Sequence, residues 1–259
     1  MKKILCIIPA RSGSKGIINK NIKLFKGKPL LVWSIIQAKE CKYYKNSNMR
    51  IILCTDKDIY RNIGLEHNIE VPFLRPVEIS DDNSTDFEFM DYTLKWLKEN
   101  ENYECDILLH LRPTQPLRKV IDINKCLDLF IENYDTYDSL RTIIENKKSP
   151  YKMYIINNFK TNENENENEN ETNIKTTSNF ILEPLFNEVN NIKEPYNSSR
   201  QLLPKTYLHN GYIDIVKSDV VLNKKSVSGT KILPYIMDEA DIIDIDTNED
   251  WNNAEKLFS

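Results

Sequence analysis

The stretch from Lys3 to Asn21 constrains this chain more than any other. Ile4-Leu5-Cys6-Ile7-Ile8 is an unbroken apolar run that passes directly into Pro9-Ala10-Arg11-Ser12-Gly13-Ser14-Lys15-Gly16 and then Asn19-Lys20-Asn21. Apolar residues without polar alternation suit a strand covered on both faces, as in a parallel sheet. Gly13 and Gly16 let the following backbone turn tightly and bring its N–H groups near a ligand. Arg11, Lys15 and Lys20 add three cations, and Ser12 and Ser14 add hydroxyls. Such a loop suits a polyphosphate, because charge-assisted bonds to phosphate are the strong ones. It is not a Walker A loop, which has four residues between its glycines where this chain has two, and the dinucleotide fingerprint is absent as well. Read alone, the stretch fits either a phosphate loop or a plain turn with surface lysines.

The pattern repeats downstream. Pro29 to Ala38 reads as a helix with proline in its first turn. Arg50 to Asp56 reads as a second buried strand, Asp58 to His67 as a helix and Ile69 to Leu74 as a third strand. A polar loop from Ser80 to Asp86 leads into a helix running to about Asn100. Its aromatic residues, Phe89, Tyr92 and Trp96, recur at helical spacing and read as core. Asp106 to Leu111 is a fourth strand with an arginine-bearing exit loop, Arg112 to Arg118, followed by a helix over 121–131 and a strand over 139–144. Tyr207 to Val216 and Ile232 to Met237 add strands, and Asn248 to Phe258 a closing helix. Alternation of this kind predicts an α/β fold with a doubly wound, mostly parallel sheet.

With 259 residues and 40% hydrophobic content the chain can bury one sizeable core. We expect a single domain over 1–259 carrying an insertion at about 146–205. Within it, residues 162–171 simply alternate Asn and Glu, which predicts a solvated loop with no apolar side chain to bury. Tyr151 to Ile156 and Phe180 to Leu182 flank that tract as strands of a protruding hairpin. Apolar strands at the periphery need a covering surface, so a homodimer through the hairpin is expected. A net charge of −4 argues against a nucleic-acid partner. Five cysteines without Cys-x-x-Cys spacing read as reduced buried thiols. No run approaches membrane-spanning length and no signal peptide is visible, so a cytoplasmic, membrane-free protein is expected.

Ile243-Asp244-Ile245-Asp246-Thr247 is the second informative cluster. On an extended segment, side chains two apart point the same way. Two like-facing carboxylates are costly to keep charged together, and Mg2+ relieves that cost with one or two carboxylates plus phosphate oxygens. The same residues also suit the cap of the last helix, and spacing alone leaves both readings open.

The full series of motifs resembles the acylneuraminate cytidylyltransferases, the CMP-sialic acid synthetases and their relatives. Ile8 to Gly16, Lys20-Asn21 and Gly27-Lys28-Pro29-Leu30 match their N-terminal motif. Thr55-Asp56, Arg75-Pro76, Pro113-Thr114 with Pro116-Leu117-Arg118, Arg200-Gln201 with Leu203-Pro204, Asn210-Gly211 and the Asp-Ile-Asp-Thr run follow in order. The resemblance implies a Rossmann-like nucleotidyltransferase fold and Mg2+-dependent transfer of CMP from CTP to the anomeric hydroxyl of a 2-keto sugar acid, with loss of pyrophosphate. It implies Arg11, Ser14, Lys15 and Asn21 at the nucleotide's phosphates and sugar, and Arg75, Ser84 and Thr85 at the cytosine. Asp244 and Asp246 would hold Mg2+, and Arg11, Lys15 and Asp246 would carry the catalytic step. Arg112, Lys152, Arg200, Gln201 and Asn210 would meet the acceptor. Three departures bear on that acceptor. Arg112 stands where sialic acid users commonly have Gln, and Asp214 where the pattern has Tyr. Lys224-Lys225-Ser226-Val227 occupies the region of the aromatic pair that packs on the N-acyl group. An arginine suits a sugar carboxylate. The acceptor is therefore expected to be sialic acid, legionaminic or pseudaminic acid or another 2-keto sugar acid. A non-catalytic nucleotide-binding relative is the alternative from a different class. A transferase acting on sugar 1-phosphates is disfavoured, because the longer glycine-rich opening of that group is missing.

Overall fold

The first strand, β1 (Ile4–Pro9), sends alternate residues into two different cores. Ile4, Cys6 and Ile8 join one buried cluster, while Leu5 and Ile7 join another on the opposite face. That is the physical reason for its unbroken apolar run, since side chains alternate faces with period two and here both faces are covered. The computed structural model describes residues 2–158, 180–238 and 242–258. Two compact units divide the chain, Met1–Ile144 with His209–Ser259, and Glu145–Leu208.

The larger unit is built on a six-stranded sheet. After β1 come β2 (Met49–Cys54), β3 (Ile107–His110) and β4 (Ser139–Glu145), and later β7 (Tyr207–Lys217) and β8 (Ile232–Met237). Their spatial order is β8-β4-β7-β3-β1-β2. β1 runs parallel to both neighbours, β2 and β3, and β8 runs parallel to β4. β7 is antiparallel to β3, setting Asp214 opposite His110. One face of the sheet is covered by α1 (Leu30–Glu40), α2 (Asp58–Glu66) and α4 (Val120–Glu132), through residues such as Leu31, Ile35, Tyr60, Leu127 and Phe130. The other is covered by α3 (Asp86–Glu101) and the short α5 (Ser218–Leu222). The sheet is thus a mixed α/β, mostly parallel one with helices on both faces. The strand order reverses at β1, which has β2 on one side and β3 on the other, and ligands of open α/β sheets bind at the carboxyl ends of strands at such a point.

The predicted strand over 69–74 forms only a single bridge, Glu70 to Ile52. Pro72 has no N–H to give a ladder, so this segment packs Ile69, Val71 and Phe73 against the sheet without extending it. The other predicted strands and helices of this unit are present, with ends shifted by one or two residues.

A third, smaller cluster matters most for function. Ile17, Phe25, Leu30, Ile245, Trp251 and Ala254 pack together, the last two from α6 (Asn248–Leu257). The ring of Phe25 meets that of Trp251 edge-on at 5.5 Å. Burying a side chain such as Ile245 contributes about 2 kcal/mol, and here it holds the Asp-Ile-Asp segment beside the opening loop.

The smaller unit contains the hairpin of β5 (Tyr154–Asn158) and β6 (Phe180–Pro184), paired antiparallel from Tyr154 opposite Pro184 to Asn158 opposite Phe180. β5 begins three residues later than expected because Pro150–Lys152 closes a 3-10 turn, with proline in a first-turn position. The Asn-Glu run at 162–171 lies outside the described residues.

Candidate nucleotide-binding cleft

The loop after β1 is clamped at both edges. The N–H of Ala10 donates to the Cys54 carbonyl at 2.9 Å, and the Thr55 hydroxyl donates to the Ala10 carbonyl at 2.7 Å. Asp56, just past β2, accepts from the Ser12 N–H at 2.7 Å and from the Ser12 hydroxyl at 2.5 Å. Gly13 takes φ +84°, a left-handed value that favours glycine. Gly16 has a different reason to be glycine, because a Cβ there would lie 2.4 Å from the Asp246 carbonyl oxygen. The loop and the acidic segment can approach this closely only because that side chain is missing. Asn21 is buried and donates to the Arg11 carbonyl at 3.1 Å, bracing the loop from behind.

The cleft itself encloses about 460 Å³. It brings together Arg11, Ser14, Lys15, Asn21, Arg75, Ser84, Arg112 and Asp246 among the expected residues. Thr85 is not in its lining; its N–H and hydroxyl donate to Glu88 at 2.6 and 3.1 Å, capping α3. That is the capping-box chemistry expected of Thr three residues before Glu. Asn210 and Asp244 line a second cavity of about 380 Å³, shared with Arg112, His209 and Gly211. Asn210 is fixed there, its side-chain oxygen accepting from the Thr142 hydroxyl at 2.6 Å and the Tyr212 N–H at 3.1 Å. Lys152, Arg200 and Gln201 belong to the smaller unit. Lys152 reaches the Tyr196 carbonyl at 3.4 Å, and Arg200 and Gln201 sit exposed in a 3-10 turn.

Electrostatics organise the basic loop around Asp82. Its carboxylate takes Lys15 Nζ at 2.5 Å and Arg11 Nη2 at 2.8 Å. The hydrogen bond from Lys15, followed by that from Arg11, holds this carboxyl below its ordinary range. Lys20 donates to Asp246 Oδ1 and to the Ile245 carbonyl, each at 2.7 Å. The Ile245 N–H donates back to Thr114 at 2.9 Å. Burial pushes the neighbouring Asp244 carboxyl up, and the Asp246 charge adds to it against a hydrogen bond from Thr114. Ile243 and Ile245 face the small core while the two aspartates between and after them do not.

Farther in, Arg112 holds two carboxylates at once. Nη1 pairs with Asp214, and Nη2 lies 2.7 Å from Asp86. Asp214 also bonds His209 Nε2 at 2.7 Å. Burial alone would raise the Asp214 carboxyl, but the His209 hydrogen bond and the Arg112 charge outweigh it and leave it low. Asp86 behaves alike, with burial overcome by His110 and Arg112. The two departures noted in the sequence, Arg112 and Asp214, are therefore one change, each the counter-ion of the other.

Sequence reasoning missed Asp82, Asp86 and His110 as lining residues, and passed over Lys20 as the partner of Asp246. Asp82 sat in a run of polar loop residues with no distinguishing spacing, and His110 reads as one more strand residue. Their roles depend on contacts 20 or more residues away in the chain.

The fold and the cleft define a nucleotidyltransferase. A solved structure of CMP:2-keto-3-deoxy-manno-octonic acid synthetase complexed with CTP superposes with a TM-score of 0.64 over 98% of each chain, at 13% identity. The sequence model for the cytidylyltransferases matches residues 5–212. CMP-N,N'-diacetyllegionaminic acid synthase of Campylobacter jejuni is 31% identical over 261 residues, covering 100% of this chain and 96% of that protein. N-acylneuraminate cytidylyltransferase of Escherichia coli is 29% identical over 252 residues, and the match covers 51% of that protein's length. The chain belongs to the cytidylyltransferase family, with the acylneuraminate enzymes. Among the described residues no helix is long and apolar enough to cross a membrane.

Proposed function

We propose that this cytidylyltransferase couples CTP to a nonulosonic acid of the diacetyllegionaminic kind, releasing pyrophosphate. The observation that carries the reading is the meeting of the basic loop with the Asp-Ile-Asp segment across Gly16, at the carboxyl ends of β1 and β3. Support for this acceptor over sialic acid comes from the relative that matches end to end, and from the Arg112–Asp214 pair. Sialic acid, pseudaminic acid and other 2-keto sugar acids are the competing acceptors.

The anomeric oxygen attacks the α-phosphorus, the bond from that phosphorus to the bridging oxygen breaks, and the hydroxyl proton passes to a base or to water. Arg11, Lys15 and Ser14 hold the phosphates, the two cations leaving Asp82 for the stronger triphosphate charge. Positioning and charge neutralisation supply most of what such a transfer needs. Asp244 and Asp246 fit a divalent cation, because they are hard oxygen donors of like charge and the Asp244 carboxyl is already pushed up in part by its neighbour. Mg2+ bound there would neutralise phosphate charge and acidify the attacking hydroxyl. Lys20, paired with Asp246 Oδ1 at 2.7 Å, would help to hold that carboxylate in place.

The exposed apolar residues of the hairpin, Ile155, Ile156, Ile181 and Leu182, support a homodimer through the smaller unit. Five free thiols fit a reducing cytoplasm. The test is pyrophosphate release from CTP and Mg2+ across a panel of diacetyllegionaminic, N-acetylneuraminic, pseudaminic and 3-deoxy-octulosonic acids. Preference for the first is expected. Turnover of another member alone overturns the acceptor, and CTP binding without turnover on any member favours a non-catalytic relative.

A further inference from the structure

Two polar side chains inside the cleft have groups with nothing to bind. Arg75 and His110 are 5% and 2% exposed, and both line the cleft. Among the described residues, Arg75 Nη2 and both ring nitrogens of His110 lack a hydrogen-bond partner. Buried polar groups are ordinarily matched, and the mismatch costs free energy that a ligand recovers. The ring of Phe89 joins them into one patch, with the Arg75 guanidinium 5.7 Å from its centre and the His110 ring meeting it edge-on at 5.5 Å. A flat ligand with a polar edge fits an aromatic ring between two unmatched polar groups.

His110 also has a preferred proton position. Its Nδ1 lies 3.9 Å from Asp86 Oδ2 and 3.9 Å from Asp214 Oδ2. That is too long for a hydrogen bond, yet close enough for two negative charges to favour the proton on Nδ1. Burial, with the Arg112 charge next, pushes the ring pKa down to about 4, so the imidazole is neutral at physiological pH. Nε2 is then an acceptor with no donor.

We propose that His110, its tautomer fixed by Asp86 and Asp214, distinguishes cytosine from uracil in the nucleotide. Nε2 accepts from the exocyclic amine of cytosine, while Arg75 Nη2 donates to N3. Uracil offers a carbonyl where the amine stands and an N–H at N3, setting acceptor against acceptor and donor against donor. A buried mismatch of this kind supports strong rejection of the wrong base. The inference rests on the CTP reading above.

The test measures KM for CTP, UTP and acceptor with the full-length chain, using the acceptor that the wild type turns over. His110→Leu should raise KM for CTP by about tenfold or more and lower the CTP-to-UTP preference by a similar factor. His110→Gln, which keeps an acceptor oxygen, should recover part of that preference. A purely structural role would affect acceptor and nucleotide alike. An unchanged CTP-to-UTP ratio in His110→Leu overturns the proposal. If that variant does not fold, wild-type protein labelled with 15N-histidine is titrated with CTP and with tripolyphosphate. An Nε2 shift with CTP alone supports the proposal, and an equal shift with both, or none with CTP, overturns it. Wild-type turnover of CTP together with an unchanged ratio removes only the role of His110, whereas a wild type that binds no CTP removes the functional reading too.

Discussion

Arg11 and Lys15 at one end of the cleft and Arg112 at the other are all paired with carboxylates, but the pairs differ in kind. Asp82 is a solvent-facing loop residue, and Lys15 is 82% exposed. Such pairs contribute little and break easily, so Asp82 is a partner that a triphosphate, bound as proposed, would displace. Arg112 is held between Asp86 and Asp214, and Asp214 is itself buried and bonded to His209. Breaking a buried pair by removing one member leaves a charge without compensation. The Arg11–Lys15 pairs are therefore suited to exchanging partners, and the Arg112 network to keeping a shape.

The sharpest break of this picture is at the acidic pair. Asp246→Asn should lower kcat by about 10³-fold, the scale on which a single group aimed at developing charge is felt. CTP-dependent pyrophosphate release with Mg2+ varied measures it, and activity within a few-fold of wild type would remove Asp246 from the catalytic step. The next effect is on stability. Arg112→Gln should cost about 2–3 kcal/mol in urea unfolding, below the range for fully buried pairs because Arg112 keeps some exposure. Adding Asp214→Tyr should cost less than the sum of the two single changes, by about 1 kcal/mol or more. Strict additivity would show that the two residues do not act as one unit.

Much of this is legible in the sequence. The opening strand was legible because both its faces are buried, which writes an unbroken apolar run. Gly16 and the Asp-Ile-Asp segment were each visible as motifs, but their contact was not, because 229 residues separate Gly16 from Asp246. Ile69 to Phe73 shows the converse failure. Its apolar alternation is real and buried, yet Pro72 removes the N–H that a ladder needs. Thr85 was expected at the base; it caps α3, a signal that Thr followed by Glu88 carried plainly. The pairing of Arg112 with Asp214 lay beyond sequence reasoning, since a single chain shows two unusual residues and not that they compensate each other.

His110 gives a pH test of the fixed end. Its pKa is lowered from 6.5 to about 4 by burial, so the unfolded chain takes up this proton more readily than the folded one. The stability held by the neutral ring is fully present above pH 6.5 and declines as pH falls through that value towards 4. At 1.36 kcal/mol per pKa unit the loss reaches about 3 kcal/mol at most. Urea unfolding of the wild type and of His110→Leu between pH 7 and 4 compares them. The variant should lose less stability on acidification, and parallel curves would show that His110 contributes nothing to the acid sensitivity.

The smallest expected effect lies at Asp82. Removing its charge frees Arg11 and Lys15 from a competitor, so Asp82→Asn should lower KM for CTP, by about two- to threefold given how little exposed pairs contribute. Because these charges face solvent, raising ionic strength should shrink the difference between variant and wild type. The Arg112 network, being less accessible to salt, should show no such convergence in stability. A higher KM in Asp82→Asn would mean that Asp82 presents the two cations to the phosphates in a required geometry. The contrast between an exchangeable and a fixed end would then fail at its exchangeable end, because both would be holding shape.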